Sequence, residues 1–277
     1  NKIRITGQLI ECETGAHLWA DRFDGSLEDV FELQDQIATS IVGAIAPKLD
    51  TAEMERAKRK PLENLDAYDW YLRGLAKVHV SNKEALRLFY RAIELDPDFA
   101  TPYGMAARCY IYRRVLVRVV DEEAERAETR RVALRASALG QDDAVALTWA
   151  GLALVEVCRE YQVGEALVDQ ALAINSNLAV GWTNRAMLSC YLGRHEAAVE
   201  QVSRALRLSP LDLETYRSEF VIAFAYLFQG NYAEAVRWAR KSVAHRPGVS
   251  NAALMAALAL AGDADEVADR RRRGEAH

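Results

Sequence analysis

The sequence predicts a mainly α-helical chain: an α-solenoid of helix–turn–helix repeats, preceded by a small N-terminal β-hairpin and helix that form part of an α/β domain. Three observations carry this expectation. The block from Gly193 to Pro210 lies without a gap over Gly230 to Pro247, placing Ala198 on Ala235, Val202 on Ala239, Ala205 on Ser242 and Pro210 on Pro247. The same frame fits Ala85, Phe89, Ala92, Ile93, Leu95 and Pro97, and more loosely Gly164, Val168, Ala171, Leu172, Ile174 and Ser176. A unit that recurs in this way cannot bury its apolar face alone, so its copies must stack. The composition agrees: the chain is 51% apolar and 27% charged, with only 15 Gly and 6 Pro in 277 residues, which favours helices over a sheet-rich fold.

The elements follow in order. Ile3, Ile5, β-branched Thr6 and Leu9 make a strand-like pattern from Ile3 to Cys12, and a second run covers His17 to Asp24. Gly15 can take the positive φ of a tight turn, so residues 3–24 read as one hairpin. A lone hairpin is marginal in water and needs a covering helix or further strands. Ser26 offers a cap with Glu28 and Asp29 in the first turn, and Val30, Leu33, Ile37, Ile41, Ile45 and Leu49 then draw an apolar stripe. Pro47 should end that helix near Ala46, giving a helix over 27–46. Residues 53–60 are charged, and 61–65 read as a linker.

Asp66 to Asp69 caps the first helix of the repeats. Each first helix carries a large residue and a small one four later: Trp70 and Gly74, Tyr103 and Ala107, Leu147 and Gly151, Trp182 and Ala186. Aromatic bulk on one helix fits where a small residue lets two helices approach. Closing positions fall at Pro97, Gln141, Ser176, Pro210 and Pro247, separated by 44, 35, 34 and 37 residues. The second repeat is the long one, because Arg113 to Arg126 adds about ten residues between its helices. Five repeats therefore span residues 66–262 with a partial sixth from Asn251, and residues 263–277 read as a polar C-terminal helix or tail.

Several function classes are excluded on this reading. A net charge of −5 exerts no general pull toward nucleic acid or an anionic membrane. No apolar run reaches the roughly 20 residues of a membrane span. The N-terminus lacks the pattern of a signal peptide, and it opens inside a strand-like run, as if partway through a larger protein. Cys12, Cys109, Cys158 and Cys190 have no CxxC spacing and read as free thiols in a reducing cytoplasm. No phosphate loop, nucleophile elbow or HExxH helix occurs, and His17, His79, His195, His245 and His277 stand singly. No catalytic, cofactor-binding or metal residue is assigned, and the chain is read as a non-enzyme. Arg270 to Arg273 and Lys58 to Lys60 read as solvated basic stretches.

A large residue, a small one four on, a turn, Ala or Ser pairs seven apart and a closing Pro resemble the tetratricopeptide repeat, a helix–turn–helix unit with a period of about 34 residues. The N-terminal stretch from Ile3 to Asp24, followed by Leu27 to Ile37, resembles the connector, related to the amino-terminal domain of TolB, in bacterial class III adenylate/guanylate cyclases that carry C-terminal tetratricopeptide repeats. Winged-helix regulators built the same way have similar connectors. The resemblance implies that residues 1–60 are a partial connector domain, and that the repeats are the sensor or docking arm of a signalling protein whose output domain lies elsewhere. In stacked repeats the first helices line a concave groove. By that geometry the lining is Tyr71, Leu75, Arg108, Thr148, Leu152, Thr183, Met187, Phe220 and Phe224. The family's carboxylate clamp uses Lys, Asn and Arg at such positions, and only Arg108 matches it. Two readings of this apolar lining stand side by side. It accepts an amphipathic helix or apolar peptide of a protein partner, or it packs against neighbouring helices, including the one over 27–46. Self-association into a homodimer through the apolar end from Ala252 to Leu260 is the rival function.

Overall fold

The computed structural model describes residues 2–10, 15, 17–26, 49, 51–116, 120–209, 214–246 and 251–273. The expected helix over 27–46 with its Pro47 stop, Cys12, His277 and the closing Pro210 and Pro247 lie outside the described residues. The chain forms two compact units, residues 1–184 and 185–277.

Strands β1 (Lys2–Ile10) and β2 (His17–Ser26) pair antiparallel, with Ile3 opposite Gly25, Ile5 opposite Phe23 and Leu9 opposite Trp19. The register slips between Leu9 and Ile10, and Gly15 at the turn has φ +69°. Helix α1, residues 51–59, falls where the sequence shows only a charged stretch. Glu53 pairs with Arg56 and Glu55 with Lys58 three residues on, which supports a short exposed helix. Its Ala57 is fully buried. A 3-10 turn, Leu62–Asn64, leads into the repeats.

The helices then come in pairs: α2 (Ala67–Leu75) with α3 (Asn82–Leu95), α4 (Ala100–Leu116) with α5 (Glu122–Leu139), and α6 (Ala144–Glu156) with α7 (Tyr161–Ile174). After these stand α8 (Ala179–Tyr191) with α9 (His195–Leu208), α10 (Thr215–Phe228) with α11 (Tyr232–His245), and α12 (Asn251–Ala261) with α13 (Ala264–Arg272). The boundary between the two units falls inside α8. Side-chain oxygens start many of these helices. Asp66 and Asp69 form a capping box on α2, while Ser81, Asp121, Asp143, Asn231 and Asp263 each accept a backbone N–H of the following first turn. The extra residues of the second repeat extend helices rather than a loop, since α4 has 17 residues and α5 has 18 against 13 and 14 in the third repeat.

The small residues of the repeat frame sit where helices touch. A Cβ on Gly74 would stand 2.5 Å from the Phe89 ring. Gly151 of α6 and Gly164 of α7 meet face to face, and a Cβ on either would come within 2.6 Å of the other's carbonyl oxygen. Ala85, Ala92, Ala198, Ala205, Ala235 and Ala239 are all buried, as the frame requires. The turns inside the last three pairs each use a left-handed glycine, Gly193 (φ +74°), Gly230 (φ +75°) and Gly262 (φ +84°), whereas the turn between α2 and α3 uses no left-handed residue. The third repeat puts Arg159 in its turn, at φ 64°.

In unit 2, Ala223 of α10, Ala235, Val236 and Ala239 of α11 and Leu254, Ala257 and Leu258 of α12 form one core, with Val267 of α13 packed against it. Helix α13 is tied to α11 by an ion pair of Glu266 with Arg240, and Arg270 bonds Glu266 at 2.9 Å. Arg272 and Arg273 reach Asp269, so three of the four arginines of the basic run bond acids of their own helix.

Candidate interaction surface

The expected groove residues of unit 1 are mostly interior. Arg108 is 1% exposed, with its guanidinium carbon 4.5 Å from the Tyr112 ring centroid and 5.0 Å from that of Trp149. The one side chain that matches clamp chemistry is thus held inside the repeats by aromatic faces. Thr148 is buried beneath Asn184, whose amide donates to the Thr148 carbonyl and hydroxyl at 3.3 Å each. Leu152 is fully enclosed, and Thr183 is buried with its hydroxyl donating to the Ala179 carbonyl at 3.3 Å. Tyr71 and Leu75 keep partial exposure. The Tyr71 ring stands 5.5 Å edge-on to Phe99, 5.9 Å from Tyr68 and 6.1 Å from Phe89.

Unit 2 gathers aromatic rings on one face. Phe220, Phe224 and Phe228 recur every fourth residue of α10, which puts them on one stripe. Phe220 stacks on Phe224 at 5.8 Å, and Phe224 meets Phe228 edge-on at 4.7 Å. Tyr191 of α8 abuts Phe224 at 6.2 Å, and His195 of α9 stacks on Phe228 at 5.5 Å. Phe220 and Phe224 are half-buried, but Phe228 is 57% exposed and Tyr191 39%. Met187, one turn before Tyr191, is buried. Sequence reasoning named Phe220 and Phe224 and missed Phe228, although its spacing of four from Phe224 would have found it. Tyr191 likewise lies four residues beyond Met187. His195 carried no such signal, because it opens the second helix of its pair.

Contacts of α10 with α11 and the residue after it hold the strip in place. Glu219 is buried and 2.7 Å from His245 Nδ1 of α11, the Ser242 hydroxyl donates to the Tyr216 carbonyl at 2.6 Å, and Arg246 lies over the Tyr216 ring at 5.1 Å. These three links fix the rotation of α10 about its axis, and with it the face that carries the phenylalanines. Chemically the strip offers flat apolar area at small entropic cost, suited to apolar or aromatic side chains of a partner.

Among the described residues no group of three or more His, Cys, Asp or Glu could hold a metal ion, and no helix is long and apolar enough to cross a membrane. Burial pushes the Cys109 and Cys190 thiols up to about 12, far from the range of a reactive thiolate.

The helix pairs have the tetratricopeptide-repeat fold. The human IFIT1 dimer with m7Gppp-AAAA superposes with a TM-score of 0.64 over 89% of this chain and 57% of that one, at 16% identity. A thermophilic tetratricopeptide-repeat protein of Thermus thermophilus gives 0.53 over 71% of this chain and 97% of its own, at 17% identity. At such identities the likeness speaks for the fold alone. In sequence, the chain is 38% identical over 108 residues to "Putative adenylate cyclase 3" of Rhizobium meliloti (strain 1021), covering 38% of this chain and 18% of the relative. It is 26% identical over 188 residues to the transcriptional regulator HilA of Salmonella typhimurium, covering 64% of this chain and 32% of the regulator. The chain thus spans between about a fifth and a third of the curated relatives it matches. No family profile matches.

Proposed function

We propose that the chain is a non-enzymatic interaction module, the repeat arm of a cytoplasmic bacterial signalling protein of the cyclase type, which docks a protein or peptide on its first helices. The observation that carries this reading is the partly open aromatic strip of Phe220, Phe224 and Phe228 with Tyr191 and His195. Within unit 1 the accessible residues among those expected are Tyr71 and Leu75, while Arg108, Thr148, Leu152 and Thr183 are buried, as Met187 is in unit 2. The partner presents apolar side chains rather than an acidic terminus, because the guanidinium of Arg108 is enclosed. The parent's output would be nucleotide cyclisation by the first relative or transcriptional regulation by the second, and sequencing the whole gene distinguishes them.

The binding test is fluorescence anisotropy with a panel of amphipathic helical peptides whose apolar residues lie four apart. Phe228→Arg should weaken binding by about tenfold or more, since a central aromatic anchor commonly contributes over 1 kcal/mol. Equal affinity of parent and variant for every peptide that binds would refute the strip. Homodimerisation through the C-terminal end is the weaker reading, because Val267 of α13 packs on that core. Sedimentation velocity across a concentration series distinguishes it.

A further inference from the structure

We infer that residues 51–60 are a rigid joint, in which helix α1 is locked onto the first helix of the repeats. A short charged helix followed by a five-residue connection that opens on a proline would ordinarily be a swivel. Three observations oppose that. The guanidinium of Arg73, on α2, donates to the Ala57 carbonyl from Nε and Nη2 at 3.1 Å each, and from Nη2 to the Lys60 carbonyl at 2.8 Å and the Lys58 carbonyl at 3.4 Å. The carbonyls at a helix C-terminus have no partner within the helix, and a planar cationic fork both satisfies several and complements the helix dipole. From the other side Lys60 Nζ reaches Asp69 Oδ2 at 2.6 Å, and that carboxylate is fully buried and also accepts the Asp66 N–H that opens α2. Ala57, finally, whose carbonyl takes two of those bonds, has no exposed surface.

The clasp runs in both directions across residues 61–65: an α2 cation holds the end of α1, and a cation just after α1 holds the start of α2. Removing either partner leaves a buried carboxylate or a set of helix-end carbonyls uncompensated, so the arrangement resists partial opening. A displacement of the first repeat is therefore passed to α1 rather than absorbed at 61–65. The joint is independent of what the repeats bind and of which output domain the parent carries.

Hydrogen exchange with mass spectrometry on the whole chain tests it. In the parent, amides of residues 55–60 should exchange at least about tenfold more slowly than in Arg73→Ala, while α3 to α7 exchange alike in both. Arg73→Lys should fall between, because an ammonium cannot fork across three carbonyls. Ala57→Gln provides an arm that leaves every repeat residue untouched: it should speed exchange over 51–60 and leave α2 and α3 unchanged. The inference is overturned if 55–60 exchange at unprotected rates in the parent, or if Ala57→Gln and Arg73→Ala leave the rates over 51–60 at parent values.

Discussion

Replacing Gly151 by Ala tests the physical reason for the large-then-small spacing of the first helices. Helix propensity alone favours the change by about 1 kcal/mol. Packing opposes it, because the new Cβ would lie 2.6 Å from the Gly164 carbonyl oxygen and 2.8 Å from Val168 Cγ2, where ordinary contact begins near 3.4 Å. The Gly164 oxygen belongs to the α7 backbone and cannot swing aside, so α6 and α7 must part by about 0.8 Å locally. A gap of that size forfeits roughly a quarter to a half of each neighbouring dispersion contact. Overpacking of a well-fitted core costs about 1–3 kcal/mol. The net expectation is a loss of about 1 kcal/mol, and a melting temperature lower by about 2–4 °C for a chain of this size. Gly181→Ala is the paired control: its new Cβ would meet the tip of Leu172 at 2.9 Å, a flexible side chain, so propensity should win and stability hold or rise. Urea denaturation followed by circular dichroism, with exchange at α6 and α7 as the local readout, measures both. Should Gly151→Ala stabilise as much as Gly181→Ala, the close-approach reasoning fails.

Arg159→Gly should stabilise the third repeat by about 0.5–1 kcal/mol, since a left-handed non-glycine residue is strained there while the matching turns use glycine; equilibrium denaturation checks it. Acid should act through Asp69. Burial works to raise its pKa, but the Lys60 hydrogen bond and the Asp66 N–H outweigh it and hold the carboxyl below its ordinary 3.8, so its contribution is complete above that value and is lost as pH falls through the lower folded-state value. Asp69→Asn should therefore be less stable than the parent at neutral pH and show a smaller further loss between about pH 4 and pH 2, as read by denaturation at each pH. Burial raises the thiols of Cys158, Cys109 and Cys190 alike, the last two to about 12, but Cys158 is partly exposed, so iodoacetamide at mildly alkaline pH should label Cys158 before the other two, which react only on unfolding, as peptide mass spectrometry would show.

Much of this fold is legible in one sequence because stacked repeats are built from local rules. The Gly193–Pro210 and Gly230–Pro247 blocks announce α9 and α11 by their buried alanines, and Gly193 and Gly230 mark the left-handed turns before them. Helix α1 was not legible. Its residues are charged and its strongest ties, to Arg73 and Asp69, cross from another element. The aromatic strip was half legible: periodicity places Phe220 and Phe224 on one stripe, but it cannot report that Tyr191 and His195 come from other helices to meet it.

By itself the sequence determined the helix pairs of the repeats, the cap at Asp66 and the small residues where helices touch, because each depends on neighbours within a few positions. Only the tertiary structure decided which first-helix side chains remain open. Arg108, Leu152 and Phe224 occupy comparable places in the repeat frame, yet two are enclosed and one is partly open, because burial depends on how much bulk each neighbouring helix brings, a quantity no single repeat encodes.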